Sequence, residues 1–217
     1  MGIYAIKPQF QKALGGIEDR LVAWHIKADW LTGVAVGAAA LAAVIHLVGW
    51  PQHAAALWLI PPLALIRLSL NALDGQVARR SGTARPWGAV LNEMGDRLAD
   101  VLFLAPIALV GGVPAALGLT ALCAMLLGSL SGVLAASLGF GRLTLGVFAK
   151  ADRMLALAAL YVVALVLGAS WPLAVLFWAI LVGSLVTLAQ RLAWLHREID
   201  SHCEAGVSPT KQSPGGQ

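Results

Sequence analysis

"NALDGQVARRSGTARPWGAVLNEMGDRLAD", Asn71 to Asp100, sets an arginine pair, six further acids and bases, and five glycine or proline residues inside one short window. Its surroundings are of another kind. The 217-residue chain is 59% hydrophobic and 12% charged, with a mean hydropathy of +0.79. That is too apolar for a soluble domain of this size and reads as a polytopic membrane protein. The polar window therefore has to be explained within a membrane bundle.

Apolar runs near the ~20 residues that cross a bilayer as helix lie at about 31–49, 54–73, 97–114, 115–139, 153–170 and 172–193. The expected fold class is all-α, with six transmembrane helices. The breaks at Gly49-Trp50-Pro51, Gly111 to Pro114 and Gly168 to Pro172 hold no lysine or arginine. The other side collects Lys7, Lys12, Arg20, Lys27, Arg79, Arg80, Arg85, Arg142, Lys150, Arg153, Arg191 and Arg197. The positive-inside rule then makes both termini cytoplasmic. Trp50 and Trp171 fall at the outer interface, Trp30 and Trp194 at the inner one. The sequence pI of about 9.4 follows from this bias. No run interleaves base-stacking aromatics with basic residues, so no nucleic acid partner is expected.

One membrane domain is expected over 1–200. Within it, residues 7–28 place Phe10, Leu14, Ile17, Leu21, Trp24 and Ile26 at roughly helical spacing among charges, with Gly15-Gly16 as a weak point. This predicts an amphipathic helix on the membrane surface or a solvated arm. The segment 201–217 is rich in Gly, Ser and Pro and is expected to be a disordered cytoplasmic tail. The N-terminal residues lack the apolar core of a cleavable signal, and Ile6 stands where N-myristoylation needs Ser or Thr. Cys123 and Cys203 form neither a disulfide framework nor a metal-site spacing.

Within the window, Asn71 and Asp74 are three residues apart and share a helix face. Asn92, Asp96 and Asp100 are spaced by four and rise in a line along the next helix. Arg67 precedes Asn71 by one turn. Ionisable groups at such depth face a polar cavity. Gly75, Ala78, Gly88 and Gly95 remove bulk beside the acids, so that a ligand or a second backbone can come close. Arg79 and Arg80 remain beside them, where a phosphate could bridge guanidinium and acid through a hard cation.

The spacing Asn71-x2-Asp74-Gly75-x2-Ala78-Arg79-x8-Gly88-x3-Asn92-x3-Asp96 resembles the signature of the CDP-alcohol phosphatidyltransferase family, D-x2-D-G-x2-A-R-x8-G-x3-D-x3-D. The resemblance extends over nearly the whole chain. "ADWLT", Ala28 to Thr32, echoes the family's P-N-x-L-T element, and "FAKADRM", Phe148 to Met154, its cationic segment before the fifth helix. It implies six membrane helices, an N-terminal surface helix, a homodimer, and a site at the cytoplasmic face of a bacterial inner membrane. The activity implied is transfer of a phosphatidyl group from a CDP-linked donor, CDP-diacylglycerol first among them, to an acceptor alcohol. CMP is released and Mg²⁺ or Mn²⁺ is the cofactor.

Carried over residue by residue, the resemblance makes Asp96 the base that takes the acceptor proton. Asn71, Asp74, Asn92 and Asp96 occupy the metal-ligand positions, and Gly75, Ala78, Arg79 and Gly88 lie against the donor. Asn71 and Asn92 stand where the family has aspartates that ligate metal. Two dications carry four positive charges, which the family's four carboxylates and the pyrophosphate meet; Asp74 and Asp96 alone fall two short. Glu93 and Asp100 lie close enough along the helix to substitute, or else form a solvated helix face. Asparagine oxygen still ligates Mg²⁺, more weakly. Lys150 and Arg153 are either a pocket for an anionic acceptor or positive-inside anchors. Arg67 is either a structural partner of Asp74 or Asp96 or a ligand contact.

Two other functions compete. A degenerate family member that binds CDP-lipid or a partner without turnover is motivated by the two asparagines. A transporter is disfavoured, because the polar groups cluster at one face rather than at the midplane of two repeated halves. The histidines share no ligand spacing.

Overall fold

The structure, a computed structural model, describes residues 7–50, 54–83, 85–141, 143, 145–148 and 150–204, with side chains from 15 to 202. Its elements are all helical: α1 (Lys7–Ala23), α2 (Ala28–Gly49), α3 (Ala54–Leu57), α4 (Ile60–Arg80), α5 (Pro86–Val110), α6 (Ala115–Ser137), α7 (Lys150–Leu167) and α8 (Trp171–Glu204). The expected all-α class holds, and a helix covers each of the six apolar runs. α8 continues to Glu204; residues 205–217 of the expected tail, and residues 1–6, lie outside the described residues.

Local chemistry explains the helix starts. Pro61 and Pro62 lie in the first turn of α4, and Pro86 opens α5. At these positions the missing N–H would have no intrahelical partner and the fixed φ suits the helix. Between α4 and α5 the chain turns through Ser81 and Gly82, whose φ of +64° is a left-handed conformation that glycine adopts without strain.

Among the described residues, four helical stretches are long and apolar enough to cross a membrane: Ala28–Gly49, Ala55–Arg80, Ala115–Ser137 and Trp171–His202. α5 and α7 are set apart from these by their charges: α5 carries Glu93, Asp96, Arg97 and Asp100 and α7 begins with Lys150, Asp152 and Arg153. Large apolar side chains such as Val44, Leu109, Val166 and Trp178 point outward, a surface suited to lipid rather than water. The protein is an integral membrane protein.

The packing order explains where the polar residues meet. α2 packs against both α4 and α5, α7 packs against α4 and α8, and α6 packs against α5 and α8. Phe103, Leu104, Ile107, Met125, Met154, Leu157, Tyr161 and Phe177 fill the shared core. A second, smaller core of Leu31, Leu73 and Val77 joins α2 to α4, with Leu21, Val22 and Ile26 packed on it. That core holds the end of α1 against the bundle, and Arg80 adds ion pairs to Asp19 at 2.7 Å and Glu18 at 3.3 Å. At the opposite end of α2, His46 Nδ1 and Tyr161 Oη, both buried, lie 2.5 Å apart and tie α2 to α7.

One close approach sets the geometry of the site. A β-carbon at Gly95 would sit 2.8 Å from Thr32 Cγ2. Glycine there lets α2 settle onto α5, and Thr32 arrives opposite Asp74 as a result.

Candidate active site

α2 is the floor of the site and α4 and α5 are its walls. The walls do not pack closely on each other; their polar side chains reach across the gap. The reach is reciprocal. Asn71 of α4 donates its amide N–H to Asp96 Oδ1 of α5, while Asn92 of α5 donates to Asp74 Oδ2 of α4 at 2.8 Å. The i,i+3 and i,i+4 spacings read from the sequence thus bring Asn71, Asp74, Asn92 and Asp96 into one cluster, as two crossed amide–carboxylate pairs.

The two carboxylates differ in their partners. Asp74 is 4% exposed and accepts from Asn92, from Thr32 Oγ1 at 3.0 Å and, at its other oxygen, from the Gly75 N–H at 2.5 Å. All of these donors are neutral, and no basic side chain among the described residues pairs with it. A buried carboxylate of this kind costs several kcal/mol unless a cation compensates it, by the order of magnitude of ion desolvation. Asp96 is surrounded by cations. Lys150 Nζ lies 2.5 Å from its Oδ2, and Arg67 Nη2 lies 3.3 Å from Oδ1 and 3.1 Å from its main-chain oxygen.

The network continues along α5. Arg67, 1% exposed, reaches Asp100 Oδ1 at 3.0 Å, and Arg153 Nη2 closes on Asp100 Oδ2 at 2.8 Å. Glu93 pairs with Arg97 one turn on and has Lys150 3.8 Å away. The structure gives these residues partners that the sequence reading left open. Asp100, offered as a replacement metal ligand, is fully buried between two guanidiniums, and Glu93 also has basic partners. Lys150 and Arg153, read as an anion pocket or as positive-inside anchors, meet the acids of α5 in this structure; Arg153 also donates to the Phe148 carbonyl at 3.2 Å. The physical reason is common to all four. Charges enclosed in a bundle pair with each other in the absence of water.

The remaining signature positions are more open. Arg79 is exposed and folds back over Gly75, where a β-carbon would lie 3.4 Å from its Nη1, and it has no ion pair among the described residues. Ala78 is half-buried. Gly88 would place a β-carbon 3.5 Å from both Arg85 Cγ and Asp29 Oδ1, beside the Arg85–Asp29 ion pair that ties the start of α5 to α2. Thr32 is the polar contact that the sequence reading did not assign. Its signal was the last position of the "ADWLT" element.

Among the described residues, no three His, Cys, Asp or Glu side chains converge as a metal site. The donor set fits one hard cation: the uncompensated Asp74 carboxylate, with one amide oxygen available from each of Asn71 and Asn92. It does not reproduce four carboxylates around two cations.

No family model matches the chain. It is 32% identical over 155 residues to inner membrane protein YnbA of Escherichia coli, an alignment covering 71% of this chain and 76% of that one. It is 30% identical over 99 residues to the phosphatidylinositol phosphate synthase of Cutibacterium acnes, 45% of each chain. The fold matches that of the Mycobacterium tuberculosis phosphatidylinositol phosphate synthase, crystallised with CDP-DAG bound. The TM-score is 0.63 at 22% identity, over 82% of this chain and 90% of that one. The chain belongs to the CDP-alcohol phosphatidyltransferase family. Within that family its departure lies in Asn71 and Asn92, which stand where the signature has aspartates.

Proposed function

We propose that the protein transfers a phosphatidyl group from CDP-diacylglycerol to the hydroxyl of an acceptor alcohol, releasing CMP. The supporting observation is the convergence of the two retained acids, Asp74 and Asp96, on the gap between α4 and α5, with Arg79 free at its rim. Arg79 is placed to receive a pyrophosphate oxygen, and glycine at 75 leaves the room for it. Among the described residues Asp96 Oδ2 has Lys150 as its sole hydrogen-bond donor and a carboxylate oxygen accepts about two, which leaves a lone pair for the acceptor O–H. Asp74, Asn71 and Asn92 would hold Mg²⁺ or Mn²⁺, which when bound neutralises the pyrophosphate and eases departure of CMP.

In this reading the helices of the six apolar runs all cross a bacterial inner membrane and the site opens to the cytoplasm. The cytidine nucleotide enters from water while the acyl chains extend between helices. A homodimer belongs to the same reading, with Gly33 and Gly37 presenting an open face of α2.

The test is a turnover assay of the purified protein with labelled CDP-diacylglycerol, Mg²⁺ and a panel of acceptors, scored by CMP release. Release dependent on one acceptor is the expected result. The two crossed asparagine pairs favour a second reading, a member that binds the CDP-lipid without turnover. Binding with no release, with any acceptor at any Mg²⁺ concentration, would establish that reading instead.

A further inference from the structure

We propose that the Lys150 ammonium takes the place of the second divalent cation, so that the site holds one cation rather than two. The inference concerns the cation content of the site and rests on the reading of that site as a CDP-lipid site. Lys150 Nζ lies 2.5 Å from Asp96 Oδ2 and 3.8 Å from Glu93 Oε2, between two acids of α5. A primary ammonium between two carboxylates supplies one positive charge and up to three donors, with no coordination geometry to satisfy.

The charge count supports this assignment. Asp74, Glu93, Asp96 and Asp100 carry four negative charges, and Arg67, Arg97, Lys150 and Arg153, which pair with the last three of these acids, carry four positive ones. The cluster is neutral before any ion enters. The pyrophosphate of a CDP-linked lipid, esterified once at each phosphorus, brings two negative charges, and one dication cancels them. A second would leave the site with an excess of two positive charges. Position agrees with charge, since Asp74 has neutral donors alone and Asp96 has Lys150 and Arg67. The crossed amides fit the same scheme. Asn71 supplies to Asp96, and Asn92 to Asp74, an N–H where a bridging cation would require a carboxylate.

The experiment is Mn²⁺ titration of the metal-stripped full chain in detergent. Bound Mn²⁺ is counted from loss of the free-ion electron paramagnetic resonance signal, and spin coupling reports a pair of ions. The native chain is expected to bind one uncoupled Mn²⁺, which Asp74→Asn removes and Lys150→Arg retains. The triple variant Asn71→Asp, Asn92→Asp, Lys150→Met is expected to bind two coupled ions, and the double Asn71→Asp, Asn92→Asp variant with Lys150 intact to bind one. Two ions or none in the native chain overturns the proposal without recourse to any variant, so a variant that fails to fold leaves it testable. A coupled pair in the double variant also overturns it, because Lys150 would then not be holding the place. CMP release is scored separately: one bound Mn²⁺ with no turnover defeats the transferase reading and leaves the cation assignment standing.

Discussion

Asn71 and Asp96, 25 residues apart, are joined across the gap between α4 and α5 by an amide N–H donated to a carboxylate oxygen. The family signature has an aspartate at the first of these positions, and two carboxylates facing each other need a cation between them. The amide removes that need on one side of the site. Asn92 and Asp74 repeat the arrangement in the opposite direction.

The two retained acids are expected to fail in different ways. Asp96→Asn removes the group that accepts the hydroxyl proton and should lower the rate of CMP release by roughly 10²–10⁴-fold, the range of general-base contributions. Asp74→Asn should abolish release together with Mg²⁺ dependence. A near-normal rate in Asp96→Asn would take it out of the base role.

Arg67→Ala should destabilise the bundle strongly. It removes the cation shared by Asp96 and Asp100 and leaves those buried carboxylates one cationic partner each. Breaking a buried pair from one side costs about 3–5 kcal/mol. Arg153→Ala should act in the same direction, as a loss of thermal stability in detergent. An unchanged unfolding temperature for Arg153→Ala with a raised KM for the acceptor would return that residue to an anion pocket.

Gly95→Ala should impair the site from outside it. The added methyl would lie 2.8 Å from Thr32 Cγ2 and push α2 off α5, and overpacking of this kind costs about 1–3 kcal/mol. Thr32→Ser deletes that methyl and keeps the hydroxyl that donates to Asp74. The double variant should therefore recover CMP release and stability relative to Gly95→Ala alone. Equal defects in single and double variants would show that the contact does not set the position of α2.

Arg79→Ala should raise the KM for CDP-diacylglycerol roughly tenfold or more, the scale of one charge-assisted hydrogen bond, with less effect on the acceptor. Steady-state kinetics in mixed micelles separate the two substrates. An equal rise for both would place Arg79 outside the donor site.

The helices and the crossing of Asn71, Asp74, Asn92 and Asp96 were legible in the sequence because both rest on periodicity. Apolar run length marks the helices, and three- and four-residue spacing marks a shared face. The fate of the remaining charges was not legible in this way. Spacing places Asp100 one turn beyond Asp96, but α4 and α7 decide that it faces two guanidiniums, and no local pattern encodes which helices flank α5. Lys150 and Arg153 show the same limit: their sequence position fits an anion pocket, an interfacial anchor or an ion pair equally well. Thr32 was legible as part of a motif, and its role depended on Gly95, a residue distant from it in sequence.

The acids along α5 also bear on how the protein can be made. Asp96 and Asp100 are poor residues to pass into hydrocarbon unaccompanied. Arg67 is translated 29 residues ahead of Asp96, within the helix that precedes it, whereas Lys150 emerges 54 residues after Asp96 and Arg153 53 after Asp100. During synthesis, α4 therefore supplies the first neutralising partner, and α5 has reason to enter the bilayer alongside it as a hairpin. α7 completes the neutralisation only when most of the chain has left the ribosome. Arg67 then serves the nascent chain before it serves the folded one, and its loss should appear as failed insertion and lower yield even where a finished bundle could have tolerated it.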